Sequence, residues 1–330
     1  MENTTLKHRI TKKAAVGFAL CMAVAIVSAL TAFLFGCQRT GYFGVQMISQ
    51  CIPSFANLDS LFEEDYIARI YITDVIAPES ESYCQSWILQ TIEDLTEDEH
   101  NKGIILYVDS PGGGVYEADE TYLALMRYKD KKGAPVYAYF GPLAASGGYY
   151  ISCAADSIWA NRNTLTGSIG VIAGQFVDAT ELLDKIGVKS TTIHSGRNKL
   201  MGDLTEPMSP EQQQIMQTIS DECYEQFTSI VAESRSLPIE TVVSLADGRV
   251  YTASQARDNG LIDAIGSFED ALDAMTRREF DFEEYPVEDY YYQRRASLYD
   301  LLMGLSSHTS QRSASHHPLP FPAYYCPWQR

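Results

Sequence analysis

Three short stretches of the chain carry residue types that could do chemistry. The first, Asp109-Ser110-Pro111-Gly112-Gly113-Gly114, follows an apolar run and precedes a helical pattern. Glycine lets a turn adopt conformations that a Cβ forbids, so such a turn can present backbone N–H groups to an anion. A phosphate loop is one reading, but the Gly-Lys-Ser/Thr ending that would hold phosphate and magnesium is missing. The other reading is a tight strand-to-helix turn. The second stretch, Ala145-Ser146-Gly147-Gly148, places a serine at a predicted helix start, at the C-terminal edge of a sheet. There a helix N-terminus favours developing negative charge, and the Gly147 N–H could join the Pro-Gly-Gly turn in an oxyanion hole. Packing of a helix through small residues explains the same pattern.

A serine nucleophile needs a base, most often histidine. In the α/β region only His100 and His194 are present, and neither has a motif around it. Lysine can serve instead where removal from water favours the free amine. The third stretch, Ser195-Gly196-Arg197-Asn198-Lys199-Leu200-Met201-Gly202, supplies a lysine, although a lone lysine in a loop is ordinarily a solvated charge. Arg197 reads as a solvated or structural charge.

The elements that must position these residues alternate between strand and helix, the mark of an α/β domain with parallel strands. Strands are predicted at Ile67 to Ile76, Ile104 to Val108, Val136 to Phe140, Ile158 to Ala160 and Val188 to Ile193. Helices are predicted at Ser82 to Glu97, Val115 to Tyr128 and Ala144 to Ala155. The runs at Ile104 and Val136 are apolar throughout, as expected of strands buried on both faces. Ser209-Pro210-Glu211-Gln212 combines an N-cap, a proline at the first helical position and a capping-box glutamine. After it, Ile215, Met216, Ile219, Cys223, Phe227, Ile230 and Val231 form one apolar stripe, to be buried in the domain or against a sister subunit.

The chain has 330 residues, 45% hydrophobic and 21% charged, enough for a sizeable core. A net charge of -18 argues against nucleic-acid binding, which needs a basic face. The seven cysteines form no CxxC pair and no ligand-like spacing with the six histidines, so neither a zinc site nor a disulfide framework is expected, and buried free thiols are the simpler reading. His316-His317 lack a third ligand nearby. From Ala14 to Gly36 there is no charge, and at about 1.5 Å per residue this run can cross a bilayer core of roughly 30 Å. Lys7, Arg9, Lys12 and Lys13 precede it and only Arg39 follows closely, so the N-terminus is expected in the cytoplasm and the rest outside. A cleaved signal peptide is the alternative, but the run exceeds the usual apolar region of ~7 to 15 residues. The expected organisation is a basic N-terminus (1–13), a transmembrane anchor (14–36), a linker (37–64), a catalytic domain (65–278) and an acidic, aromatic, partly low-complexity tail (279–330).

Taken together and in order, the three stretches, Tyr149-Tyr150, Thr166-Gly167-Ser168-Ile169-Gly170-Val171, and Asp247-Gly248-Arg249-Val250-Tyr251-Thr252 through Ala256-Arg257 to Gly260-Leu261-Ile262-Asp263 resemble the signal peptide peptidase A family, over roughly Ile67 to Met275. The resemblance implies a Clp protease/crotonase-like fold and a serine endopeptidase without cofactor or metal. It implies Ser146 as nucleophile and Lys199 as base, Gly113 and Gly147 N–H groups as oxyanion hole, and Ser168 positioning the lysine amine. In that family serine and lysine can come from neighbouring protomers, and short forms build rings. The implied partners are peptides such as signal-peptide remnants, the membrane and other copies of the chain. A crotonase-like acyl-thioester enzyme and a non-catalytic membrane scaffold with the same fold are the competing readings.

Overall fold

The computed structural model describes residues 64–294 and the backbone of 323–325. The predicted membrane span at 14–36 lies outside the described residues, and no helix among the described residues is long and apolar enough to cross a membrane.

The domain is mixed α/β, built on a mostly parallel sheet. Its strands are β1 (Tyr66–Thr73), β2 (Asn101–Ser110), β3 (Gly112–Gly114), β4 (Val136–Ala145), β5 (Ser157–Ala160), β6 (Leu165–Gly167), β7 (Val250–Thr252), β8 (Ala264–Ile265), β9 (Val287–Tyr290) and β10 (Ala323–Tyr325). The helices are α1 (Gln85–Glu97), α2 (Val115–Lys132), α3 (Gly147–Ser152), α4 (Thr180–Lys185), α5 (Pro210–Arg235), α6 (Ile239–Leu245), α7 (Ala253–Asp258) and α8 (Phe268–Glu279). Across the main sheet the order is β7-β6-β4-β2-β1-β9, with β5 and β8 branching from β4. Only the β6–β7 pair in this sheet is antiparallel.

Strand alternation divides the core. Ile104, Leu106 and Val108 of β2 join Ile70 and Ile72 of β1 beneath α1 and α2, which contribute Ile88, Ile92, Leu125 and Tyr128. Ile67, Ile105, Tyr137 and Tyr139 turn to the other face and pack on Ala271 and Met275 of α8. Burial on both faces is why these strands read as unbroken apolar runs.

β4 extends past its predicted end. Val136 to Phe140 are followed by Gly141-Pro142 without a break in the strand, because β4 changes neighbour there. Tyr137 to Phe140 pair with β5, whereas Leu143 to Ala145 pair with β6. The predicted helix from Ala144 is correspondingly only Gly147–Ser152. The capping box at Ser209 forms as expected, with Ser209 Oγ accepting from the Gln212 N–H. On α5, Met216, Phe227 and Val231 are buried, while Ile215, Ile219, Cys223 and Ile230 are half-buried. The predicted strand Val188 to Ile193 does not form: the segment has no regular structure and Ile193 is 97% exposed. Its start is taken up in ending α4, where Gly187 is left-handed and the Val188 N–H donates to Leu183 O.

The chain past Arg278 returns to the sheet. β9 runs parallel to β1, Ile67 N–H donates to Pro286 O, and the Arg69 guanidinium grips the Asp289 carboxylate. The free thiols are buried at Cys153 and half-buried at Cys84 and Cys223, and burial pushes the Cys153 thiol up to about 12.

Two stability predictions follow from the packing. An alanine Cβ at Gly113 would lie 1.8 Å from Ile76 O, a backbone atom that cannot swing aside. Gly113→Ala should therefore destabilise the domain by roughly 2 kcal/mol or more, and an unchanged thermal midpoint would contradict this packing. Asp263 accepts from Arg235 at 2.6 and 3.0 Å and from the Ile158 N–H at 2.6 Å, joining α5 to β5. Burial alone would raise its pKa, but these donors hold it below the ordinary carboxylate value. The stabilisation is present above the unfolded value of about 3.9 and is lost as pH falls through the lower folded value. Asp263→Asn should cost roughly 1–2 kcal/mol at neutral pH, with the difference from the parent chain shrinking in acid. Urea unfolding across pH measures it; a pH-independent gap would rule out the ion pair as its source.

Candidate active site

The parallel strands deliver the motif residues to one edge. Ser110, ending β2, lies opposite Ala144 of β4, and Ala145 lies opposite Gly167 of β6. Ser146 therefore emerges between the ends of β2 and β6. Its N–H donates to Gly167 O at 2.8 Å and its carbonyl accepts from the Tyr150 N–H at 2.9 Å, turning strand into helix within one residue. That sharp reversal sets Ser146 at φ 54° and ψ -116°, in a region that disfavours a Cβ. Next to it Gly167 (φ 86°) and Ser168 (φ 51°) also lie at positive φ, which strains the serine but not the glycine. Backbone strain of this kind persists only where the surroundings over-determine it.

Here they do. Ser168 N–H donates to Arg249 O at 2.8 Å, while Thr166 Oγ1 donates to Ala144 O at 2.5 Å. A Cβ on Gly167 would lie 2.7 Å from the Tyr251 ring, and one on Gly148 3.3 Å from Ser110 O. The last contact shows how closely α3 sits on the end of β2. In the glycine turn, Ser110 Oγ donates to Asp74 O at 2.6 Å and accepts from the Gly112 N–H at 3.1 Å. Gly112 is left-handed at φ 93°. Ile76 N–H donates to Gly112 O at 2.9 Å and Gly114 N–H to Ile76 O at 2.8 Å, fixing β3 against the segment after β1.

Ser146 is fully buried, and its Oγ lacks a hydrogen-bond partner among the described residues. A buried hydroxyl left unpaired is costly, so its retention needs a reason. Gly113, Ser146, Gly147 and Ser168 thus meet at one sheet edge. Lys199 does not join them through any described contact: it is exposed, on the segment between β6 and α5. The same segment exposes Phe176, Val177, Leu182, Ile186 and Ile193. His100 pairs with Asp65 at 3.1 Å beside the first residue of β2, the end of the sheet opposite Ser146. His194 is exposed, with Nδ1 3.1 Å from Gly196 O. Among the described residues, no group of His, Cys, Asp and Glu could hold a metal.

Several supports had no signal beyond membership of a motif. Asp109 accepts from the Leu143 N–H at 3.2 Å, bracing the end of β4, and its burial raises its pKa. Tyr149 OH donates to Leu261 O at 2.7 Å, and Tyr150 OH to Asp119 Oδ1 at 2.6 Å. Gln226 of α5 donates to both Tyr150 OH and Asp119, and the Phe227 ring lies 5.1 Å from that of Tyr150. The short helix after Ser146 is thereby tied to α2, α5 and the loop before β8.

Residues 128–280 match the profile of peptidase family S49. A protein of Enterococcus faecium named as a signal peptide peptidase SppA is 39% identical over 220 residues, covering 64% of this chain and 63% of that one. A protein of Synechocystis sp. named as a protease is 39% identical over 205 residues, covering 62% of this chain and 71% of that one. This chain therefore spans somewhat less than two thirds of the enterococcal relative. Among solved structures, a ClpP1 mutant from Listeria monocytogenes superposes with a TM-score of 0.44 at 16% identity, covering 66% of this chain and 98% of that one. With the ordered motifs gathered at one sheet edge and relatives matched at this level, the chain belongs to peptidase family S49, the signal peptide peptidase A family.

Proposed function

We propose that the chain is a membrane-anchored serine endopeptidase with a Clp protease/crotonase-like fold, using Ser146 as nucleophile and Lys199 as general base. The observation that carries this reading is the buried, unpartnered Ser146 hydroxyl on strained backbone beside the Gly112–Gly114 turn. A crotonase-like enzyme, which needs only backbone N–H groups, gives that hydroxyl no task.

Ser146 Oγ attacks the peptide carbonyl carbon as its proton passes to Lys199 Nζ. The carbonyl oxygen gains negative charge and receives hydrogen bonds from the Gly113 and Gly147 N–H groups. Collapse breaks the C–N bond, and the departing amine takes the proton from the lysine. Water, deprotonated by Lys199 Nζ, then attacks the acyl carbon, the ester C–O bond breaks, and the proton passes from the lysine to Ser146 Oγ. Ser168 Oγ orients the amine between the two steps.

The exposed position of Lys199 favours a base supplied by a neighbouring copy. Docking of the apolar residues from Phe176 to Ile193 against that neighbour would cover surface otherwise left to water. It would also enclose the lysine, and an amine taken out of water gives up its proton more readily. A head-to-tail contact of this kind closes into a ring when its successive rotations return to the starting copy. The 14–36 segment would anchor the ring with its catalytic domains outside the cytoplasmic membrane, where signal-peptide remnants and other membrane-derived peptides are the fitting substrates.

Ser146→Ala and Lys199→Ala should each be inactive and folded. Co-assembled in equal amounts, they should regain activity, roughly a quarter of the parent for random neighbours. Lys199→Arg should stay inactive, because a guanidinium cannot act as base, whereas His100→Ala and His194→Ala should keep most turnover. A silent mixture would place both groups in one chain, and an active Lys199→Arg would eliminate the lysine base. For orientation, protease added to intact spheroplasts should digest the domain beyond Glu64; protection until lysis would reverse the topology.

A further inference from the structure

The two strands that lead to the glycine turn and to Ser146 do not match residue for residue. Val108 of β2 lies opposite Phe140 and Ser110 lies opposite Ala144, so Asp109 alone faces Gly141, Pro142 and Leu143 of β4. Extra residues in one strand interrupt the ladder and leave backbone groups that need other partners. Here side chains meet them. Pro142 has no N–H to satisfy, and the Leu143 N–H donates to the Asp109 carboxylate at 3.2 Å. On the carbonyl side, the buried Thr164 Oγ1, from the loop before β6, donates to Gly141 O at 2.7 Å and lies 3.2 Å from Phe140 O. Phe140 O also accepts from the Asn161 N–H at 3.3 Å. A Cβ on Gly141 would stand 3.3 Å from Asp109 Cβ and 2.9 Å from the Tyr107 hydroxyl, so glycine there leaves the space in which the carboxylate crosses to β4.

The contact lies where the site is assembled. Asp109 is followed by Ser110-Pro111-Gly112-Gly113, and Leu143 by Ala144-Ala145-Ser146. One hydrogen bond thus joins the strand ends from which the proposed oxyanion-hole N–H and the proposed nucleophile depart. The backbone of Asp109 is itself fixed, its carbonyl accepting from the Asp74 N–H at 3.2 Å, and past the bulge Leu143 to Ala145 pair with β6. A bulge freed to relax would move Ser146 against Gly113 while leaving the apolar core in place. Reacting groups misplaced by about 1 Å can lose roughly 100-fold in rate.

We propose that Asp109 is a positioning residue for acyl transfer: its carboxylate replaces the ladder bond missing at the β4 bulge, with Thr164 on the carbonyl side, and so sets the spacing of Ser146 Oγ from the Gly113 N–H. This rests on the peptidase reading for its kinetic consequence, but not for its geometry. The role needs an acceptor oxygen rather than a charge. An amide can therefore fill it, and an apolar side chain of similar size cannot.

The test compares Asp109→Asn, Asp109→Leu and Thr164→Val with the parent, each as the full chain purified in mild detergent. Hydrogen exchange at the Leu143 amide reads the brace without requiring catalysis. The rate of labelling by a serine-directed fluorophosphonate reads the reactivity of Ser146, and a fluorogenic peptide separates kcat from KM. Asp109→Leu should exchange faster at Leu143 and lose about tenfold or more in labelling rate and kcat, with KM within about twofold. Asp109→Asn should stay within about threefold of the parent throughout. Thr164→Val should slow labelling by itself, and the double variant with Asp109→Leu should lose less than the product of the two losses, because both act on one bulge. Equal losses in Asp109→Asn and Asp109→Leu overturn the proposal, as does a folded Thr164→Val that labels like the parent. A loss in Asp109→Leu confined to KM or to thermal stability overturns it too. Faster exchange in Asp109→Leu but not in Asp109→Asn, with no labelling or turnover in any form, supports the brace while overturning the peptidase reading.

Discussion

The close passage of β3 along the backbone of Ile76 is the constraint on which the rest of the site depends. Two hydrogen bonds to Ile76 leave no room for a side chain at Gly113, and they commit its N–H to the opposite edge. Everything that shares the edge is placed relative to that commitment. The bulge between Val108 and Ser110 brings Ser110 level with Ala144, Gly148 lets α3 settle on Ser110, and the carbonyl of Gly167 catches the N–H of Ser146. The strain at Ser146 and Ser168 is borne by a framework of buried strands, where displacing any one member would disturb several others.

That framework was legible where burial leaves a simple imprint. Ile104 to Val108 and Val136 to Phe140 announce strands covered on both faces, and Ser209 to Gln212 announces the start of α5. The candidate residues Gly113, Ser146, Gly147 and Ser168 were legible as members of ordered motifs, and the backbone brings them to one edge. Less was visible where pairing rather than composition decides. Gly141-Pro142 looks like a strand end, yet the strand continues because the proline faces outward, exposed, and β6 takes over from β5. β9 contains Glu288 and Asp289, poor strand formers, and is held instead by Arg69 and by the Tyr290 hydroxyl donating to Tyr66. Val188 to Ile193 has the composition of a strand and, among the described residues, no strand to pair with.

Lys199 shows the deeper limit. A sequence motif records which residues act together, but not whether one chain carries them to one place. The segment between β6 and α5 carries the lysine exposed, and exposes several apolar side chains as well. The environment of Ser146, by contrast, is finished: buried, strained and left with an unpaired oxygen. If the proposed dyad holds, the fold preorganises its serine within one copy, while its lysine would need a neighbour to enclose it.

On the proposed reading the two halves of the site would be controlled separately: an isolated copy would hold the Ser146 hydroxyl without an enclosed base, and an assembled copy would have both. The backbone edge of β3 has its own control. It is met by only three residues, Ala323 to Tyr325, between Pro322 and Pro327. A long pairing there would hold the edge closed to every other strand, whereas no pairing would leave backbone groups open to any unfolded segment. A short, proline-bounded strand lies between these extremes, because few hydrogen bonds must break for it to leave.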